Sequence, residues 1–285
     1  MDAVLEEARR LLSPCVVCPR KCGVKRLEDE RGYCGVGWQA LVSTHGAHFG
    51  EESLLVGRGG SGTIFLAGCN LKCIFCQNYD LSHRRLGEPA EPRAIAQLMI
   101  TLQEQGCHNV NFVTPSHVMP QLLEAVLLAR EVGLTVPVVW NCGGYESVEA
   151  LELLEGHVEI YMPDAKFADA ETAERLAQAP DYFAVMRAAV LEMHRQVGDL
   201  VIDDGLARRG LLVRHLVMPG GAKETREILD FLADEVSPRT FVNVMGQYRP
   251  EYRAAHDRAV GRYSTAWEIG EARDYARRKG LRLSD

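Results

Sequence analysis

Apolar segments alternate with helical segments after Gly62, and this order restricts the fold more than any other feature of the chain. The apolar segments are short and rich in Val, Ile, Leu and Phe, as strands buried in a parallel sheet are. The predicted strands are Thr63–Ala67, Asn109–Val113, Thr135–Trp140, Val158–Met162, Leu211–Val217 and Thr240–Met245. The predicted helices cover about 2–13, 91–105, 117–132, 146–155, 170–178, 181–197, 223–236 and 264–279.

This alternation predicts an α/β fold with a parallel sheet and right-handed crossovers. Six strand–helix units are fewer than the eight of a closed barrel, and periodicity alone does not separate a partial barrel from a doubly wound sheet. In both folds, sites form beyond the carboxyl ends of the strands. We expect an N-terminal helix and cysteine-rich metal-binding segment at 1–60, the strand–helix domain at 61–248 and a helical segment at 249–285.

Composition narrows the class of protein. Of the 285 residues, 47% are hydrophobic, which supports a sizeable core, and the net charge of -7 argues against nonspecific nucleic-acid binding. No apolar run approaches the ~18 residues of a membrane-spanning helix. Without an export signal, we expect a cytoplasmic protein whose thiols stay reduced and serve metals or catalysis.

Three cysteines follow the first predicted strand in the spacing C-x3-C-x2-C: Cys69, Cys73 and Cys76. A four-iron cluster takes four ligands, so three thiolates leave one iron open to a ligand that is not protein. A structural zinc site would need a fourth ligand, for which His83 is the nearest candidate. A disulfide framework is disfavoured because nine cysteines cannot all pair among themselves.

With Phe75 before the last cysteine, this motif resembles that of the radical S-adenosylmethionine (radical SAM) superfamily. The flanking runs Gly60–Leu66 and Cys76–Tyr79 resemble its pyruvate formate-lyase activating enzyme-like branch, and the likeness extends from Cys15 to about Tyr248. It implies a partial (β/α)6 barrel, a [4Fe–4S] cluster on the three cysteines, and S-adenosylmethionine on the open iron beside Phe75. It also implies an electron donor such as flavodoxin or ferredoxin.

The resemblance further implies a cradle for the cofactor at the ends of the later strands. Asp164 and Lys166 match an Asp-x-Lys pair of this branch, and residues two apart in extended chain point the same way. A surface salt bridge is the alternative interpretation. Arg214 lies within an apolar strand, where a charge is costly unless it is paired, so we expect it to share one polar cluster with Asp164.

Three further cofactor contacts are predicted from their places after strands: Thr114, Asn141 and Gln247. Thr114 stands where the family usually has a Gly-Gly-Glu-like turn, which is a departure from the family pattern. Two glycines after Asn141 would let the backbone approach a ligand, or simply form a tight turn. Ser116 is predicted to cap a helix, and His215 to be a core histidine with satisfied hydrogen bonds.

A second group of cysteines has the spacing C-x2-C-x3-C-x11-C: Cys15, Cys18, Cys22 and Cys34. Four thiolates can close a structural zinc site or a fully ligated auxiliary iron–sulfur cluster, and spacing does not separate the two. A metal would hold together a loop that is poor in core residues.

These features favour an enzyme that generates a 5′-deoxyadenosyl radical and abstracts hydrogen from a substrate. The substrate is either a partner enzyme that receives a glycyl radical, or a small molecule, peptide or RNA. The short segment between Cys76 and Asn109 has no ferredoxin-like insertion, which counts against the activase version. The alternative of another class is a non-catalytic iron–sulfur or zinc sensor or scaffold.

Overall fold

The structure, a computed structural model, describes residues 2–284. The strands in this part of the chain are β1 (Ala40–His48), β2 (Ser61–Leu66), β3 (Glu88–Ala90), β4 (Val110–Val113), β5 (Val138–Cys142), β6 (Ile160–Pro163), β7 (Val201–Asp203), β8 (Leu206–Leu216), β9 (Phe241–Met245) and β10 (Arg282–Leu283). The α-helices are α1 (Asp2–Arg10), α2 (Ser53–Val56), α3 (Tyr79–Ser82), α4 (Pro92–Glu104), α5 (Met119–Glu131), α6 (Val148–Glu152), α7 (Ala170–Ala177), α8 (Tyr182–Val197), α9 (Ala222–Phe231) and α10 (Ala266–Arg278).

Six strands stand side by side in chain order, β2-β4-β5-β6-β8-β9, and all neighbouring pairs are parallel. A doubly wound sheet would instead reverse its strand order at a switch point. The sequential order is therefore that of a barrel wall, and among the described residues the sheet does not close. The predicted α/β class is confirmed, and the open wall accords with a partial barrel.

The predicted strands and helices are confirmed within a few residues at their ends, except at two places described below. β5 begins at Val138 and not at Thr135, because Pro137 has no N–H to donate and Gln103 Oε1 accepts from the amides of Thr135 and Val136 at 2.7 and 3.1 Å. None of the described helices is long and apolar enough to cross a membrane.

The first difference concerns β8, which begins at Leu206 and not at Leu211. Its early part pairs antiparallel with β7 as a hairpin. The two turn residues, Asp204 and Gly205, both have positive φ angles of 49° and 71°. This is the backbone that Asp-Gly favours in a two-residue hairpin turn, so the signal was present in the sequence.

The second difference is β1, which lies in the predicted cysteine-rich segment, where we predicted no strand. β1 runs antiparallel to β2 from Val42 opposite Leu66 to His48 opposite Ser61, and β3 pairs with its other edge. Much of β1 is half-buried or exposed on both faces, so its sequence shows no clean alternation. The sheet thus includes strands from all three predicted segments, and the division at residue 60 stays a prediction.

The chain after β1 closes the inner side of the wall. β1 ends opposite the start of β2, so the following turn and α2 lie at the amino end of the parallel strands. From α2, Leu55 is fully buried in a cluster with inner-facing residues of β5, β6, β8 and β9, including Ile160, Leu212 and Phe241. The other face of the sheet packs under the long helices in a larger core. The inner cavity therefore opens at the carboxyl ends of the strands.

Candidate active site

The cysteine loop leaves the carboxyl end of β2 and folds back over the inner cavity. Gly68 starts it with φ at +86°, and a Cβ there would lie only 2.7 Å from a methyl group of Val36. Within the loop, the amide of Leu71 donates to Cys69 Sγ at 3.3 Å, and Cys76 Sγ lies 3.0 Å from Ser82 Oγ. Glycine is thus required where the strand turns into the loop.

The structure brings the three loop cysteines and all the predicted cofactor contacts to one cavity of about 330 Å³. The predicted residues that line it are Cys69, Cys73, Cys76, Phe75, Thr114, Asn141, Asp164, Lys166, Arg214 and Gln247. They come from the cysteine loop and from the carboxyl ends of β4, β5, β6, β8 and β9. This convergence was predicted from strand order, although the individual roles of the residues stay predictions.

The three thiols are close enough to affect one another. Burial raises the pKa of Cys69 to about 11, and Cys76 adds to this effect. Burial also raises the pKa of Cys73, while Lys166 opposes the shift. Buried thiols of this kind ionise readily only when a positive centre binds them, as iron does.

A four-iron cluster fits this donor set. Among residues 2–284, no three His, Cys, Asp or Glu side chains are arranged around a single metal ion. A cluster differs from a single ion because each thiolate binds a different iron, so the sulfurs need not converge on one point. Cys69, Cys73 and Cys76 would hold three irons of such a cluster and leave the fourth facing the cavity.

Asp164 is the centre of the polar network opposite the cysteines. Its Oδ1 accepts from Arg214 Nε at 2.8 Å, its Oδ2 forms an ion pair with Lys166 Nζ, and Arg214 Nη2 donates to Asn141 Oδ1 at 2.7 Å. Burial acts to raise the pKa of Asp164, but Arg214 and Lys166 outweigh it and the pKa is lowered. Lys166 carries three N–H donors, of which Asp164 uses only part, so the ammonium can still bind a carboxylate ligand.

The surface alternative for Asp164 and Lys166 is excluded, because their side chains are only 14% and 15% exposed. The predicted cluster of Arg214 with Asp164 is confirmed. His215 is likewise a core histidine, with Nδ1 2.7 Å from the carbonyl of Ala165 and Nε2 2.9 Å from Thr225 Oγ1.

One residue of the site region, Ser116, differs from its predicted local role. Ser116 does not cap a helix, because the short 3₁₀ turn at 116–118 begins after Pro115. The Ser116 hydroxyl instead donates a hydrogen bond to the buried carboxyl of Glu146. Of the two glycines after Asn141, Gly143 lines the cavity, whereas Gly144 forms a close backbone contact. A Cβ on Gly144, whose φ is +75°, would meet the carbonyl oxygen of Asp164 at 2.1 Å.

Tyr182 of α8 holds this contact together, and sequence reasoning missed it. Its buried hydroxyl accepts from the amide of Lys166 at 3.1 Å and lies 2.8 and 2.7 Å from the carbonyl oxygens of Gly143 and Asp164. Nothing in the helical pattern distinguished this tyrosine from an ordinary core residue.

Sequence reasoning also missed two acids in the cavity, Glu51 and Glu52. They follow β1, the strand that was not predicted, so no argument from the ends of the parallel strands pointed to them. Burial raises the pKa of Glu51 to about 7, Arg214 opposes this shift, and the neighbouring Glu52 adds to it.

The N-terminal cysteines do not line this cavity. Cys15, Cys18 and Cys34 are buried, and Cys22 is exposed. Burial raises the pKa of Cys18 to about 12, and the nearby thiols of Cys34 and Cys15 add to the shift. In the part of the chain that the structure describes, these four thiols are not placed as a tetrahedral cage.

Comparison with known proteins agrees with this geometry. The family model of the Radical SAM superfamily matches residues 63–232, more than half of the chain. The chain belongs to the radical SAM superfamily, and membership implies an enzyme. It is also 35% identical to an uncharacterized protein of Methanocaldococcus jannaschii, over 99% of this chain and 80% of the relative.

Proposed function

We propose that this enzyme reductively cleaves S-adenosylmethionine and uses the resulting 5′-deoxyadenosyl radical to abstract hydrogen from a substrate. One observation carries the proposal: the three loop cysteines and the Asp164–Lys166–Arg214 network line a single cavity. A cluster needs the first set, and a cofactor with an ammonium, a carboxylate and a ribose needs the second.

A cluster held by Cys69, Cys73 and Cys76 would supply one electron to the sulfonium of the cofactor, whose bond to C5′ would break to give methionine and the 5′-deoxyadenosyl radical. Abstraction of a hydrogen atom from the substrate would convert this radical to 5′-deoxyadenosine. We propose that flavodoxin or ferredoxin provides the electron.

The protein's residues position the reactants and exclude water from them. Lys166 attracts the carboxylate of the cofactor, and Asp164 holds Lys166 and Arg214 in place. Arg214 fixes the amide of Asn141 so that its NH₂ remains available to a ligand. Thr114 and Gln247, at the ends of neighbouring strands, provide further contacts to the cofactor.

The direct test is anaerobic incubation of reconstituted protein with dithionite and S-adenosylmethionine. Methionine and 5′-deoxyadenosine should appear in equal amounts as the cofactor is consumed. A protein with a full cluster that leaves the cofactor intact would refute the proposal.

We propose more narrowly that the enzyme is related to the pyruvate formate-lyase activating enzyme-like branch. The flanks of the cysteine motif and the Asp164/Lys166 pair support this. Only α3, β3 and α4 lie between Cys76 and β4, so the ferredoxin-like insertion of many activases is absent from this described segment. Incubation with a candidate glycyl-radical enzyme tests the activase version. A glycyl radical signal by electron paramagnetic resonance would support that version, and no signal would favour a substrate of another kind.

We further propose that Cys15, Cys18, Cys22 and Cys34 bind a second metal centre, either zinc or an auxiliary cluster. The support is their spacing and the mutual effect of the thiols of Cys15, Cys18 and Cys34. Metal analysis should give one zinc per chain or about four irons beyond the first cluster. Cys15→Ala with Cys18→Ala should remove that metal and keep the first cluster. If metal analysis finds neither zinc nor additional iron, and all four thiols are alkylated in the native protein, the second metal site is excluded.

A further inference from the structure

The floor of the cavity is built by a loop that enters the wall from its amino end. Glu51 and Glu52 precede α2, whose Leu55 fills the inner side of the wall below them. Their side chains reach upward to β8 and β9, where Arg214 lies opposite Asn243 in the register. We call Glu51, Glu52 and Asn243 the floor group.

Glu51 is nine-tenths buried but weakly paired. Its side chain is 10% exposed, and its ion-pair partner in the described chain is Arg214 Nη1 at 3.9 Å, beyond hydrogen-bond distance. Arg214 already uses Nε and Nη2 for Asp164 and Asn141. A carboxylate removed from water in this way is costly unless another donor binds it.

Glu52 is half satisfied. Its Oε1 accepts from Asn243 Nδ2 at 3.1 Å, whereas its buried Oε2 has no hydrogen-bond partner among the described residues. The two acids together give Arg214 more negative charge than it can pair, because Asp164 already binds it closely.

Asn111 provides an independent observation. It is completely buried in β4, and neither its amide oxygen nor its amide nitrogen has a partner in the described chain. It is two residues before Val113, which lines the cavity, so both face the inner side of the wall. Buried amides are almost always hydrogen-bonded, so this one is left for a polar group, an ordered water or part of a ligand, that enters the inner side of the wall.

We propose that the floor group binds the ammonium, or another cationic N–H group, of the substrate. Glu51 and Glu52, which both line the cavity, would accept from its N–H donors. This inference rests on the proposed function, since it places the substrate below the cofactor cradle of Asn141, Asp164 and Lys166. A metal ion is disfavoured, because no three metal-binding side chains in residues 2–284 are arranged to hold one.

The test uses methylammonium as the probe and reconstituted protein saturated with S-adenosylmethionine, without reductant. Saturation-transfer NMR on the probe's methyl protons should show binding that acetate and tetramethylammonium do not compete away. Glu51→Gln with Glu52→Gln keeps the shape and removes both ionisable carboxyl groups, and should weaken probe binding at least about tenfold. Glu131→Gln, at an exposed position, is the matched control and should bind the probe as the wild type does.

Iron content and melting temperature show whether the double variant is folded, and Glu51→Gln alone serves if it is not. Equal probe binding by wild type and variant, or no binding to either, would overturn the inference. Calorimetric titration with S-adenosylmethionine shows whether the ammonium bound by the floor group belongs to the cofactor or to the substrate. If cofactor affinity falls in the variant and the cofactor displaces methylammonium, the ammonium is the cofactor's and the substrate assignment is wrong. Because the probe assay involves no turnover, its failure is distinct from a failure of cofactor cleavage.

Discussion

The guanidinium of Arg20 donates a hydrogen bond from Nε to the backbone carbonyl of Asn70, 2.7 Å away, between the first two cysteines of the cluster loop. Arg20 also donates to the carbonyls of Ala177 and Gln178 at the end of α7, and its guanidinium lies 4.0 Å from the ring centre of Tyr33. The N-terminal cysteine segment therefore holds the cluster loop against the barrel. Arg20 is a positioning residue, since it acts on the cluster through the loop.

Arg20→Ala should loosen the cluster loop, because three carbonyl groups lose a charged donor. We expect a loss of stability of about 1–3 kcal/mol and faster release of iron to a chelator. Urea unfolding and the rate of iron loss measure the two effects. Arg93→Ala, at an exposed position on α4, is the control. An unchanged rate of iron release in Arg20→Ala would show that the cluster loop keeps its conformation without Arg20.

Replacing Cys69, Cys73 and Cys76 together by Ala should abolish the [4Fe–4S] signal that shifts when S-adenosylmethionine is added. Electron paramagnetic resonance of the anaerobically reduced protein measures this. Cys107→Ala is the matched control, because Cys107 is buried outside the cavity. If the triple variant keeps the cofactor-shifted signal, residues other than these three cysteines hold the cluster.

Lys166→Ala should weaken cofactor binding by roughly 1–3 kcal/mol, because a charged donor to the cofactor carboxylate is lost. Asp164 keeps its bond to Arg214, so the fold and the iron content should not change. Calorimetric titration gives the affinity, and Lys223→Ala, at a side chain that is 90% exposed, is the control. Wild-type affinity in Lys166→Ala would leave the lysine as a structural partner of Asp164.

His215 should make the protein less stable in acid. Burial lowers the pKa of His215 to about 4, although its bond to Ala165 and the charge of Asp164 oppose the shift. In the unfolded chain, His215 binds a proton below the ordinary histidine pKa of about 6.5. In the native protein, the same side chain stays neutral down to about pH 4. Stability is therefore complete above pH ~6.5 and falls toward pH ~4, by up to a few kcal/mol. Urea unfolding across this range should show a smaller fall in His215→Gln; an equal fall would assign the effect to other groups.

The sequence alone determined the class of fold and most of the cavity. Parallel strands place their carboxyl ends at one edge, so residues that follow different strands were expected to meet there. This rule predicted the meeting of the cysteine loop with Asp164, Lys166 and Arg214, which follow it by 88 (Cys76 to Asp164) to 145 residues (Cys69 to Arg214). The choice between a barrel wall and a doubly wound sheet needed the strand order, which periodicity does not contain.

Tertiary structure alone decided the floor of the cavity and the support of its walls. Glu51 and Glu52 enter through a loop after a half-exposed strand whose pattern is too irregular to read. Tyr182 and Arg20 act on backbone carbonyls, and a carbonyl is the same at every residue, so no side-chain pattern can indicate such a bond. Local sequence encodes periodicity and ligand spacing, whereas contacts between distant segments depend on packing that only the folded chain defines.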